Sequence, residues 1–250
     1  MRVLLEACVD SVESALAAQS GGADRVELCE DLLEGGTTPS AGMIEVCQER
    51  LHIPLHVLVR PRGADFVYSD VEIEVMQRDI ALARRLGVAG VVLGALRPDG
   101  TIDTERTKAL IGAARPMSIT FHRAFDFTPD ADDALDTLMR LGIERVLTSG
   151  QAPMAVQGMQ TLTRLVSRAE GRIIVLAGGG LSEENITTVA EQTGVREVHV
   201  RATALLESPA SFRPSHLTLL KQPLPNEFDR AVTDPERIRR ISGLLEQIHE

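Results

Sequence analysis

The sequence predicts an α/β fold, a closed barrel of eight parallel strands alternating with helices, and three observations predict it. From Val3 to Val200, short β-branched apolar runs alternate with longer amphipathic segments. The chain is 250 residues long, and such barrels run to about 250 residues as one domain. The turn after the first strand, Val9-Asp10-Ser11-Val12, is not the Gly-rich dinucleotide turn that announces an open doubly wound sheet. The fold class is therefore a single (β/α)8 TIM barrel over residues 1–250, with a long loop after strand 8 and a C-terminal helix.

The strands expected are Val3–Val9, Asp24–Cys29, Pro54–Arg60, Gly90–Gly94, Ser118–His122, Arg145–Ser149, Ile173–Ala177 and Glu197–Val200. Between them the spacing of apolar residues predicts helices, among them Val71–Leu86 and Met154–Ala169. Gly21-Gly22, Gly87, Gly142 and Gly194 each stand where a helix would end in a left-handed cap before the next strand. Residues 202–233 break the regularity with Pro209, Pro214, Pro223 and Pro225, and read as a loop long enough to serve as a lid or an interface arm. A last helix begins near Asp234.

Composition narrows the function classes. Hydrophobic residues make up 44% and aromatics 3%, so the core is built from Leu, Val, Ile and Ala. A formal net charge of -10 disfavours binding to nucleic acid. Three cysteines make no disulfide framework and suit a reducing compartment. No apolar run is long enough to serve as a signal core or to span a bilayer. The expectation is a soluble, cytoplasmic protein.

A repeated Glu-x-Cys pattern marks the site. Glu6-Ala7-Cys8 ends the first strand and Glu27-Leu28-Cys29 the second. Side chains alternate along a strand, so each Glu shares a face with its Cys. If the apolar parity packs outward on the helices, the inward residues near the C-terminal ends are Glu6, Glu27, Arg60, His122 and His199. Cys8, Cys29, Arg62 and Arg201 lie one step farther up. Barrel enzymes build their sites at this face. The set fits acid–base work on a small anionic or phosphorylated metabolite, by a lyase or isomerase. Glu6 or Glu27 would be the base, His122 a general acid or oxyanion stabiliser, and His199 a further catalytic group. Arg60, Arg62 and Arg201 would supply positive charge, with Ser149 and the glycines Gly178, Gly179 and Gly180 as a phosphate cradle. Glu183 and Glu184 would oppose an anion there. A divalent ion on Glu6, Glu27, His122 and His199 is a variant of this reading. The plainer readings are structural ion pairs, Glu6 with Arg60 and Glu27 with Arg62, or a scaffold subunit whose site is vestigial. The thiols of Cys8 and Cys29 pose a different chemistry, since thiolates suit a soft metal.

Five motifs occur in order: Glu27-Leu28-Cys29, Glu34 to Ser40 (EGGTTPS), Arg60-Pro61-Arg62-Gly63, Thr120 to Asp126 (TFHRAFD) and Arg145 to Gly150 (RVLTSG). Together they resemble the CutC family, often called copper homeostasis proteins. The resemblance implies a TIM barrel, a cytoplasmic location and a homodimer or homotetramer. It also implies Cu(I) held by Cys8 and Cys29. This sequence departs from the pattern at Ala64, where a second glycine is common, and at Val67, where some members carry cysteine. Val200-Arg201 replace the small polar residues usual after His199. Cys47 is expected in a helix, and His52 and His249 on the surface.

Overall fold

Alternation along each strand divides the side chains between two cores. The structure, a computed structural model, describes residues 2–214, 216–217 and 228–248. Eight strands form a closed barrel in sequence order: β1 (Leu4–Val9), β2 (Arg25–Leu28), β3 (Leu55–Leu58), β4 (Gly90–Leu93), β5 (Ser118–Phe121), β6 (Arg145–Thr148), β7 (Ile174–Gly178) and β8 (Glu197–Val200). Each pairs in parallel with the next. β8 closes on β1 with Glu6 opposite His199. One parity, including Leu5, Ala7, Val26 and Leu28, is wholly buried against the helices. The other parity fills the interior, and there the charged residues collect.

The helices are α1 (Val12–Gly21), α2 (Ala41–Arg50), α3 (Asp70–Arg85), α4 (Thr104–Ala114), α5 (Ala131–Leu141), α6 (Met159–Ala169), α7 (Ile186–Thr193) and α8 (Pro235–Glu246). Ser69 and Glu72 form a reciprocal capping box that starts α3. Its Ile73, Met76, Ile80 and Ala83 are buried at helical spacing. Gly22, Gly87, Gly142 and Gly194 have left-handed backbones, as the glycine spacing predicts. Gly21 instead completes α1 and lies against Ile238 of α8.

Two expectations need correction. The helix expected over Met154–Ala169 begins only at Met159. A Cβ on Gly158 would stand 1.9 Å from the Ser149 carbonyl oxygen, so the backbone just before α6 is packed onto the β6 loop and residues 154–158 stay irregular. The segment 202–233 is not loop throughout. β9 (Thr203–Leu206) pairs antiparallel with β10 (Arg230–Thr233), and the Thr233 amide donates to Ser14 Oγ on α1. Pro223 and Pro225 lie outside the described residues, as does His249. Cys47 is buried in α2, and His52 is exposed. Among the described residues no helix is long and apolar enough to cross a membrane.

Candidate functional site

The barrel interior is polar in two storeys. In the lower one Arg25 reaches Glu6 and also Glu197, the latter at 2.6 Å. Arg145 holds Glu197 through Nε at 2.6 Å and Nη2 at 3.1 Å. All four are buried. Charges taken out of water must be paired and hydrogen-bonded, and here each guanidinium meets a carboxylate. His56 lies beside them. Burial first, against the opposing pull of Glu6 and with the help of Arg25 and Arg145, lowers its pKa to about 4, so the ring is neutral.

Above this network stands His199. Its Nδ1 donates to Glu6 Oε1 at 2.8 Å, and its Nε2 lies 3.7 Å from Glu27 Oε2. Burial opposes the imidazolium, but Glu27, contact with Cys8 and the bond to Glu6 outweigh it and hold His199 well above its ordinary range. Burial also works to raise the Glu6 carboxyl. Arg25 and His199 overcome it and keep Glu6 ionised. Glu27 goes the other way: burial raises it, His199 pulls it down, and neighbouring Glu6 adds to the rise.

Cys8 and Cys29 face each other across β1 and β2, with Sγ atoms 3.7 Å apart. Cys29 Sγ also donates to the Val9 carbonyl at 3.3 Å. The contact with Cys29, then burial, then the negative charge of Glu27 push the Cys8 thiol well above its usual range. One ligand atom each from Cys8, Glu27 and His199 lie within 4.8 Å of one another. The two thiols, with a near imidazole, fit a soft ion, while the Glu27 carboxylate is a hard donor beside them; Glu6 orients the imidazole from behind as outer carboxylates do for metal-bound histidines.

His122 sits at the same mouth, buried, at the end of β5. Its Nδ1 accepts from the Ala124 amide, so the proton of the neutral ring is on Nε2, which has no partner. Burial and the Arg60 charge lower its pKa to about 3. Gly94, just past the end of neighbouring β4, makes room, since a Cβ there would meet the ring at 2.6 Å. A cavity of about 120 Å³ opens here, with Cys8, Glu27, Arg60, Phe66, His122 and His199 on its wall.

The other expected residues lie elsewhere or are otherwise engaged. Arg60 does not pair with Glu6. Its Nη1 donates to the carbonyls of Glu34 and Gly36, both at 2.7 Å, and its Nη2 to that of Ala64 at 2.8 Å. Arg62 does not pair with Glu27, binding Glu72 at 2.5 Å and Asp65 at 3.1 Å instead, off the cavity wall. Arg201 is exposed and off the wall as well. The Ser149 amide and hydroxyl both donate to Asp126, as do the Thr148 hydroxyl, the Gln151 amide and Arg123. A carboxylate of the chain itself thus fills the place where that loop would cradle a phosphate. Space above Gly179 is taken by Ser149 and Arg123, and above Gly180 by Met154, while Gly178 leaves room for Leu147. Glu183 does not oppose an anion here. The hydrogen bond from Arg237 lowers its pKa to about 2, and Arg240 lies within 3.4 Å.

Sequence reasoning missed Arg25, Arg145 and Glu197 in the interior, and Asp126 as a latch. The signal for two of them was present: Arg25 precedes Glu27 by two residues and Glu197 precedes His199 by two, so each shares its neighbour's parity. Asp126 carried no comparable signal, because apart from Arg123 three residues before it, its partners are about 22 to 25 residues away in sequence.

Comparison with known proteins follows the same features. The model of the CutC family matches residues 3–204. The copper homeostasis protein cutC homolog of Homo sapiens is 46% identical over 245 residues, covering 98% of this chain and 90% of that protein. A family protein CutC of Bacteroides fragilis is 46% identical over 246 residues, covering 98% and 97%. A crystal structure of a CutC protein from Streptococcus agalactiae superposes with a TM-score of 0.76 at 36% identity, over 79% of this chain and 97% of that one. A thiamine phosphate pyrophosphorylase from Pyrococcus furiosus, at 15% identity and TM-score 0.60, shares the barrel fold alone.

Proposed function

The chain belongs to the CutC family, and from that premise we propose that it binds Cu(I) in copper homeostasis, with Cys8 and Cys29 as the thiolate ligands. The observation that supports this reading is the pair of sulfurs 3.7 Å apart at the barrel mouth, beside a histidine whose far nitrogen is already oriented by Glu6. Copper is the cargo. Soft thiolates select Cu(I) over hard divalent ions. Cys8 carries its proton in the free protein, so binding releases it, and affinity rises with pH. Glu27 is close enough to receive that proton, and His199, once its Nε2 proton has left, is close enough to complete the ligand set. The names of the human and Streptococcus agalactiae relatives support the same role. A cytoplasmic location and a homodimer or homotetramer belong to this proposal through the family likeness.

An anaerobic titration of reduced protein with Cu(I) against a competing chelator tests it. Wild type is expected to take up copper in a fixed ratio to protein chains, and Cys8→Ser/Cys29→Ser to lose that uptake while retaining its fold by circular dichroism. Uptake indifferent to the double substitution would remove the two thiols from the role.

A further inference from the structure

We propose that the cavity at the barrel mouth also binds a small monocarboxylate, gripped by Arg60 Nε and His122 Nε2–H beside the Phe66 ring. Arg60 and His122 take no part in the thiolate site.

Arg60 and His122 are each 5% exposed. The three hydrogen bonds of the Arg60 guanidinium all go to backbone carbonyls, which carry no formal charge. Among the described residues no carboxylate forms an ion pair with it, and its Nε has no hydrogen-bond partner, with the equally unpartnered Tyr68 hydroxyl standing beside the guanidinium. A buried cation without a counter-ion is costly, and an orphaned buried donor calls for an explanation. His122 presents the second such donor at the same wall, its tautomer set by Ala124. One unbalanced positive charge and two N–H groups match one carboxylate, which has a single negative charge and two oxygens.

Phosphate fits worse. It carries more charge than Arg60 balances, and the loop amides that would take its extra oxygens, those of Ser149 and Gln151, are on Asp126. Size points the same way. The cavity of about 120 Å³ equals roughly four water volumes, enough for an acid of a few carbons. Leu58 and Leu147 offer apolar wall for its hydrocarbon end. Phe66 lies 5.1 Å from the Arg60 guanidinium carbon and 5.0 Å from the His122 ring, so one half-buried side chain contacts both gripping groups. The carboxylate on the cavity wall, Glu27, faces His199.

The test is a titration of copper-free, full-length protein with pyruvate, acetate, acetamide and inorganic phosphate, followed by calorimetry in wild type and variant alike and, in wild type, by the ¹H–¹⁵N resonance of the His122 side chain. Saturable shifts with acetate or pyruvate and none with acetamide or phosphate are expected. His122→Phe, which keeps the ring volume, is expected to weaken carboxylate binding roughly tenfold, the scale of one hydrogen bond to a charged group. Phosphate binding as tightly as pyruvate would overturn the carboxylate assignment. The absence of any saturable carboxylate shift at millimolar concentration, or equal affinity in a folded His122→Phe protein, would overturn the site. If that variant does not fold, the wild-type titration decides alone. Because no copper is present, failure here leaves the Cu(I) reading standing.

Discussion

Ala64 shows how a single residue records the demands of the site. Its φ is +62°, a left-handed backbone that glycine adopts freely and alanine does not. The family resemblance expects a second glycine there, and the structure supplies the reason: this conformation delivers the Ala64 carbonyl to Arg60. A left-handed non-glycine residue costs roughly 1–2 kcal/mol, part of which the stiffer unfolded chain offsets. Ala64→Gly should therefore stabilise the protein by about 0.5–1 kcal/mol, read as a higher urea midpoint with an unchanged slope. A lower midpoint would mean that the strain is absorbed elsewhere.

At the scale of elements, the loop after β6 is held by the short 3-10 segment Arg123–Phe127 that follows β5. Asp126 accepts from the amides of Ser149 and Gln151 and from the hydroxyls of Thr148 and Ser149. Beyond the latch the Ala155 amide bonds to the Gly179 carbonyl and Gly158 packs on Ser149, and α6 begins only at Met159. Asp126→Ala leaves those donors without their acceptor, at a cost of about 1–3 kcal/mol for a buried unsatisfied group. Hydrogen exchange should show the amides of Ser149 and Gln151 losing protection while the β1 and β2 amides keep theirs. Uniform loss across the barrel would instead place Asp126 in global stability.

For the whole molecule, the interior storeys set the response to acid. His56 and His122 are buried and neutral, with pKa values lowered to about 4 and about 3, against about 6.5 in the unfolded chain. Unfolding lets them take up protons, so their contribution is fully present above pH 6.5 and is lost as pH falls toward the folded values. The slope approaches roughly 1.4 kcal/mol per pH unit for each histidine between about pH 6 and 4. His199 does not cancel it, being protonated in both states over most of that range. Urea midpoints at pH 7 and pH 5 should differ accordingly, and His56→Gln should flatten the difference. A pH-independent midpoint would show that the two rings are charged in the fold.

Local pattern carried the barrel, the strand order, the glycine turns that close four of the helices, and the gathering of Glu6, Cys8, Glu27, Cys29, His122 and His199 at one end. Each of these follows from periodicity along the chain, since parity along a strand needs no knowledge of neighbours. Partner choice was different. Arg60 bonds to carbonyls rather than to Glu6, Arg25 and Arg145 meet Glu197 across the barrel, and Asp126 takes the amides that a phosphate would have used. The two-stranded ribbon β9–β10 joins segments about 25 residues apart. Those pairings depend on barrel closure, which brings distant strands to hydrogen-bonding distance and makes an unpaired buried charge too costly to leave. Residue spacing thus places the chemistry on one face, and closure in three dimensions chooses which charges neutralise each other and which donors, on Arg60 and His122, stay open.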